Sequence, residues 1–184
     1  VRRDGLVVGE GAGTLILESR EHALARGATI LGELHGFGTN CDGIHMTAPS
    51  EAGMRAAMQL ALRDAGLGPE HIDYVNAHGT ATDIGDIAEA TATRAVFDRP
   101  VPISSSKSFT GHTMGACGAI EAAFCVAMLR DSFLAPTRNL EEVDPRCEGL
   151  DHIRELRRDQ PRTIMSNNFA FGGVNTSLIL GKHD

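Results

Sequence analysis

The sequence predicts an α/β layered fold, on three observations. Short apolar runs bounded by glycine, proline and polar residues alternate with helical runs along the whole length. At 184 residues with 42% hydrophobic content, the chain can bury one sizeable core. No repeat, low-complexity tract or linker divides it, so residues 1–184 read as one domain.

Taken in order, residues 6–8 and 14–17 flank Gly9-Glu10-Gly11-Ala12-Gly13 and read as a tight hairpin. The glycine spacing is wrong for a dinucleotide fingerprint, and the bend leads into a strand instead of a helix. Residues 18–26 form a short helix closed by Gly27, and residues 29–37 a strand entering a loop over 38–49. Ser50 caps an amphipathic helix with Met54, Ala57, Met58, Ala61, Leu62 and Ala65 at helical spacing and Gly66 past its end. Its methionines are core filler, not a cofactor box. Residues 72–77 form a buried strand that delivers His78 at its carboxyl end, where α/β proteins bind ligands. Asp83 caps the next helix, with Ile84, Ile87, Ala88, Thr91 and Ala95 on one face. A strand at 101–104 and a helix over 115–131 follow; the helix carries few charges and is expected to be buried on most sides. Its lone early acid, Glu121, is costly to bury unless paired or bound to a cation. Beyond Pro136 a loop runs to Ile153, then a strand at 163–166, a glycine-rich loop over 167–175 and a terminal strand at 176–180.

Composition excludes several function classes. A formal net charge of −7 and a pI of about 5.6 argue against nucleic-acid binding, which depends on clustered Lys and Arg. The one basic stretch, 154–162, is interrupted by Glu155 and Asp159 and reads as a solvated face. Cys41, Cys117, Cys125 and Cys147 form no Cys-x-x-Cys pattern, so neither a zinc site nor a disulfide framework is implied, and reduced thiols fit a cytoplasmic protein. No apolar run reaches the roughly 20 residues of a membrane span. The chain begins at Val1 instead of Met, so an upstream segment is expected.

Two strings carry chemistry: Asn76-Ala77-His78-Gly79-Thr80-Ala81-Thr82 and Lys107-Ser108-Phe109-Thr110-Gly111-His112. Glycine beside each histidine lets the backbone turn sharply and come close to a reacting atom. Lys107 adds a charge able to set the protonation state of His112. Histidines 22, 35, 45, 71, 152 and 183 have no such context and read as surface or ordinary hydrogen-bonded residues.

With Gly118-Ala119-Ile120-Glu121 and Ser166-Asn167-Asn168-Phe169-Ala170-Phe171-Gly172-Gly173-Val174-Asn175, these strings resemble the C-terminal half of an elongating β-ketoacyl-acyl-carrier-protein synthase, a ketosynthase of the thiolase superfamily. The resemblance runs end to end. It implies a thiolase-like layered α/β fold with a mixed sheet flanked by helices, and decarboxylative Claisen condensation as the reaction. By this similarity His78 and His112 are neutral donors to the malonyl thioester oxygen, in the manner of an oxyanion hole. Lys107 belongs to the network orienting His112, with Glu121 as its charge partner. Thr80 and Thr82 bind the phosphopantetheine arm. The Phe171 N–H helps form the oxyanion hole of the acyl thioester; its ring and that of Phe169 gate the acyl pocket, on a loop made mobile by Gly172 and Gly173.

The resemblance implies no bound cofactor, since phosphopantetheine arrives on the acyl carrier protein. A structural monovalent or divalent cation is implied near Asn76, Glu121, Ser166 and Asn167. Implied partners are the acyl carrier protein, the N-terminal half of the same synthase and a second copy in a homodimer; no nucleic acid or membrane is among them. The family's nucleophilic cysteine belongs to the N-terminal half, so the present chain alone is expected to be inactive, and Cys117 reads as a buried structural thiol. Ala170 stands where glycine is usual, with about 1 kcal/mol of strain expected if positive φ is needed there. Val174 replaces a common threonine and Asp83 a common proline. Other readings kept open are a type II polyketide or aryl-polyene ketosynthase, a non-catalytic partner subunit resembling a chain-length factor, and a stand-alone pantetheine-binding module.

Overall fold

Helix boundaries follow local chemistry. Ser50 Oγ accepts the Gly53 N–H, and Gly66, at φ 65°, takes the left-handed conformation that ends the helix, so α2 spans Glu51–Ala65. Ser19 caps the shorter α1 (Arg20–Ala25) in the same way. The remaining helices are α3 (Asp83–Phe97), α4 (Lys107–Thr110) and α5 (Cys117–Asp131). The computed structural model describes residues 1–183.

Six strands form one mixed sheet, in the order β1 (Glu33–Cys41), β8 (Val174–Gly181), β7 (Thr163–Phe169), β2 (Tyr74–Asn76), β3 (Pro102–Ser104) and β5 (Asp151–His152). β8 runs antiparallel to both of its neighbours, β1 and β7, whereas β7, β2, β3 and β5 are mutually parallel. A separate two-stranded ribbon pairs β4 (Phe133–Leu134) with β6 (Arg157–Arg158). Alternation along the strands divides the core. Val75, Ile103, Met165 and Ile179 face α2 and α3, while Tyr74, Ile164 and Leu180 face α5. The layered α/β architecture expected from the sequence is therefore the one observed.

Several boundaries differ from the sequence reading, each for a physical reason. Residues 6–17 form no hairpin. The backbone of residues 7–9 is instead engaged by His112, whose N–H donates to Val7 O at 2.7 Å and whose carbonyl accepts from Gly9 N at 3.0 Å. Ile16 and Leu17 are left 79% and 72% exposed. β1 starts and ends later than expected and runs through Gly36 and Gly38, because α2 crosses it at very short range: a Cβ on Gly38 would lie 2.1 Å from Ala57 O. β7 and β8 extend into the glycine-rich segment, which shrinks to a turn over Phe171–Gly173.

Thr82, not Asp83, occupies the N-cap of α3, and the buried face is Glu89, Ala90, Ala92, Thr93 and Phe97. Ile84 and Ala95 point outward because the helix is turned to bring the Glu89 carboxylate inside. α5 leaves Ala123 and Phe124 exposed, so it is buried on one side and not most. Ala170 is extended at φ −91°, so no left-handed strain arises there.

The β1–α2 contact gives a stability test. Gly38→Ala places its methyl against helix backbone and is expected to cost about 1–3 kcal/mol. Gly43→Ala, at φ 60° in open space, should cost about 1 kcal/mol from backbone strain alone. Urea unfolding midpoints in the same protein background should fall further for Gly38→Ala.

Candidate functional site

Parallel β2 and β3 end level with one another, at Asn76 and Ser104, beside Ser166 of β7, which runs on to Phe169, so the segments that follow β2 and β3 and the last residues of β7 converge on one edge of the sheet. His78 leaves β2, Lys107 and His112 follow β3, and Asn167 to Phe169 complete β7. The imidazoles of His78 and His112 meet with ring centroids 5.3 Å apart and planes at 89°. The adjoining glycines are needed where they stand. Gly79 has φ 41°, and a Cβ there would lie 2.6 Å from Ser105 Cβ; Gly111, at φ 68°, lies against the backbone of Val7 and Gly9.

The Lys107 ammonium is buried and touches Glu121 Oε1 at 2.5 Å, the pairing that the family resemblance implied. Asn168 Nδ2 donates to the other carboxylate oxygen at 3.0 Å, and the Asn168 side chain also reaches His78. Burial pushes Glu121 up, against the pull of Lys107. Burial holds His78 well below the ordinary imidazole range, with Lys107 and then His112 adding repulsion. His112 is shifted the same way, by burial first and Lys107 second.

Both imidazoles are therefore neutral at physiological pH, and for His112 the tautomer is fixed. Its Nδ1 accepts the Met114 N–H at 3.0 Å, which leaves the proton on Nε2. Cys117 Sγ lies 3.4 Å from the same Nδ1 and is buried, in keeping with a structural thiol.

The remaining expected residues divide. Thr80 Oγ1 and Thr82 Oγ1 are 3.0 Å apart on the loop after His78. Thr80, Lys107 and His112 line a cleft of about 790 Å³ between residues 1–7 and the 137–144 loop. Phe171 is 57% exposed on the turn, with Gly172 and Gly173 at φ 78° and 82°. Phe169, expected to gate the acyl pocket with Phe171, is buried in the core, edge-on to His78 at 6.1 Å.

Sequence reasoning missed Glu89. Its carboxylate accepts the backbone N–H groups of His78 at 2.8 Å and Gly79 at 2.7 Å, clamping the loop that aims the imidazole. Burial nevertheless pushes Glu89 up to about 7. With Asp83 and Asp86 earlier in the same helix, Glu89 does not stand out as Glu121 does in α5. Asn168 and Asn175 were read only as parts of a motif. Asn175 Nδ2 in fact ties the Phe171–Gly173 turn to β1 through Gly173 O, Asn40 Oδ1 and Asp42 Oδ2.

Glu89 and His78 act on stability in opposite senses. The unfolded imidazole takes up a proton near pH 6.5 that the folded one refuses, so the His78 contribution is present above that pH and lost below it. The folded Glu89 carboxyl keeps a proton that the unfolded one releases, so its contribution is present below about pH 4.5 and lost as pH rises to about 7. Glu89→Gln removes the second arm. Melting temperature of the variant should climb with pH between 4.5 and 6.5 more steeply than that of the parent. Identical slopes would refute the assignment.

The arrangement has close counterparts. A family model for the C-terminal domain of beta-ketoacyl synthases matches residues 31–141. The chain is 43% identical to 3-oxoacyl-[acyl-carrier-protein] synthase 1 of Escherichia coli K12 over 98% of its own length and 44% of the relative's. The crystal structure of a beta-ketoacyl synthase from Burkholderia phymatum superposes with a TM-score of 0.97 at 59% identity, covering all of this chain and 45% of that one. A type II polyketide ketosynthase in complex with its acyl-carrier protein superposes with a TM-score of 0.95 at 35% identity, covering all of this chain and 46% of that one. The chain thus spans under half the length of the curated relative and of the solved structures it matches.

Proposed function

Because the chain belongs to the β-ketoacyl synthase family and corresponds to its C-terminal domain, we propose that it supplies the decarboxylation half-site of a 3-oxoacyl-acyl-carrier-protein synthase of fatty acid synthesis. The observation that carries this reading is the pair of neutral, edge-to-face imidazoles held beside one buried ion pair. Loss of CO₂ from a malonyl thioester breaks the bond to the carboxylate carbon and moves its electron pair into an enolate, with negative charge on the thioester oxygen. Two neutral N–H donors stabilise that charge as it forms, each typically worth about 3–4 kcal/mol of barrier. The enolate carbon then attacks an acyl thioester carried on a cysteine of the remaining part of the synthase, and the thiolate leaves. Thr80 and Thr82 hold the arm of the carrier protein, while the exposed Phe171 turn borders the acyl site.

The reading extends to partners and setting. Acyl carrier protein delivers both substrates, the N-terminal half completes the site, and a cytoplasmic homodimer is the working form. Four free cysteines support a reducing compartment. Retention of both donors, with the His112 tautomer fixed, argues against a non-catalytic partner subunit.

The cation belongs to the same reading. Asn76 Oδ1 is buried with no partner among the described residues, and Asn76 Nδ2 donates to Ser166 Oγ at 3.2 Å. Oxygen donors from Asn76, Ser166, Asn167 and Glu121 suit a hard cation, whose charge would offset the buried carboxylate.

In the full-length synthase, His78→Ala and His112→Ala should each lower malonyl-carrier-protein decarboxylation about 100- to 1,000-fold, measured as CO₂ release. Decarboxylation in the parent should also fall only below pH 6.5, because protonation replaces a tuned neutral donor and both imidazoles titrate under that value. Undiminished CO₂ release from either variant would sink the mechanism.

A further inference from the structure

Arg3 lies outside the roles assigned above, yet its side chain is only 14% exposed and sits among three carboxylates. Nε donates to Asp86 Oδ2 at 3.1 Å, and Nη1 donates to Asp144 Oδ2 at 2.6 Å and Asp83 Oδ1 at 3.2 Å. Nη2 reaches Cys147 Sγ at 3.5 Å. Arg146 Nη2 bridges Asp83 and Asp144 at 2.7 Å each, so two guanidiniums and three carboxylates form one network. It joins the segment before β1, the first turn of α3 and the 144–147 turn.

What this network holds is the loop carrying the two threonines. The second oxygen of Asp86, Oδ1, accepts the Ala81 N–H at 3.2 Å. Gly5 N donates to Ala81 O at 3.1 Å, so both polar backbone atoms of Ala81 are gripped from the same side. Ala81 needs the grip, because at φ 61° it occupies the left-handed region that residues bearing a Cβ avoid. Its neighbours Thr80 and Thr82 bring their hydroxyls within 3.0 Å of one another. Gly85 leaves the space that the Thr82 hydroxyl fills; a Cβ there would lie 2.4 Å from Oγ1.

We infer that Arg3 is a positioning residue for the thioester-arm grip: through Asp86 it holds Ala81 in the left-handed conformation and so fixes the spacing of the Thr80 and Thr82 hydroxyls. The inference rests on the proposed role of that loop in holding the pantetheine arm. A guanidinium serves best, because its fork reaches Asp86 and Asp144 at once in fixed geometry, whereas a lysine ammonium keeps the charge without the fork and serves in part. A grip that holds the arm equally in the bound and the transition state is read in KM, not in kcat. That separates Arg3 from the histidines, whose loss falls on kcat.

The test compares Arg3→Met and Arg3→Lys in the full-length synthase, with malonyl-carrier protein as substrate and residue-resolved hydrogen–deuterium exchange as a second readout. Arg3→Met should raise KM about tenfold with kcat within about twofold of the parent, and Arg3→Lys should fall between the two. Exchange at Ala81 should accelerate in both variants, while exchange at His78 and Gly79, held independently by Glu89, stays unchanged. Asp86→Asn should reproduce the KM effect, and combining it with Arg3→Met should add little. Should Arg3→Met fail to fold, Arg3→Lys, which keeps the charge, carries the test. Parental KM and parental Ala81 exchange in a folded variant would overturn the inference, as would a loss confined to kcat. If the parent does not decarboxylate malonyl-carrier protein at all, the functional reading fails, and Ala81 exchange alone decides the role of Arg3.

Discussion

A positive charge held without water beside two imidazoles is the constraint on which the rest of this structure depends. Burial is the first cause that keeps protons off His78 and His112, and Lys107 adds a repulsion that a buried setting screens little. The same burial would make a lone ammonium costly, so Glu121 must be brought to it, from a different helix. Bringing Glu121 there fixes the rotation of α5, and the apolar positions of that helix follow: Ala122, Cys125, Met128 and Leu129 meet the sheet through Tyr74, Ile164 and Leu180. One ion pair thereby links donor chemistry to helix packing.

Topology supplies the convergence that the ion pair requires. Three parallel strands release their chains at a common edge, so residues 29 positions apart in the sequence, Lys107 and His78, arrive at one point. α3 meets a similar demand from the opposite face. It is rotated so that Glu89 accepts two backbone N–H groups, which sets the loop carrying His78. Burial of one carboxylate per face, each given partners, is how the two uncharged imidazoles are fixed in place.

Much of this was legible in the sequence, and the illegible parts share a cause. The caps at Ser50 and Gly66 and the strand before His78 could be read because each is signalled by residues close in the chain; the lone charge of Glu121 signalled that it needs a partner, and the family resemblance implied that the partner is Lys107. The course of residues 6–17 was not, because whether an apolar run pairs with itself or lies against His112 depends on geometry far along the chain. Gly38 looked like a loop residue for the same reason. Glycine reports close approach, but not whether a turn or a crossing helix is what approaches. Glu89 stayed hidden because a glutamate on an amphipathic helix normally faces water, and only the facing amides of His78 and Gly79 reverse that preference.

The segment misread as a hairpin turns out to set the register of the site. Residues 7–9 bond the backbone of His112 on both sides, and a few residues earlier Gly5 bonds Ala81 directly while Arg3 bonds Asp86, which accepts the Ala81 N–H. One extended segment of chain therefore spaces the His112 imidazole against the loop of Thr80 and Thr82. Such a ruler must be extended and closely applied, which explains why Gly9 and Gly111 face each other backbone to backbone: a Cβ on Gly9 would lie 2.1 Å from Thr110 O. A hairpin would have satisfied the same backbone groups internally, and would have left the donor and the grip free to drift apart.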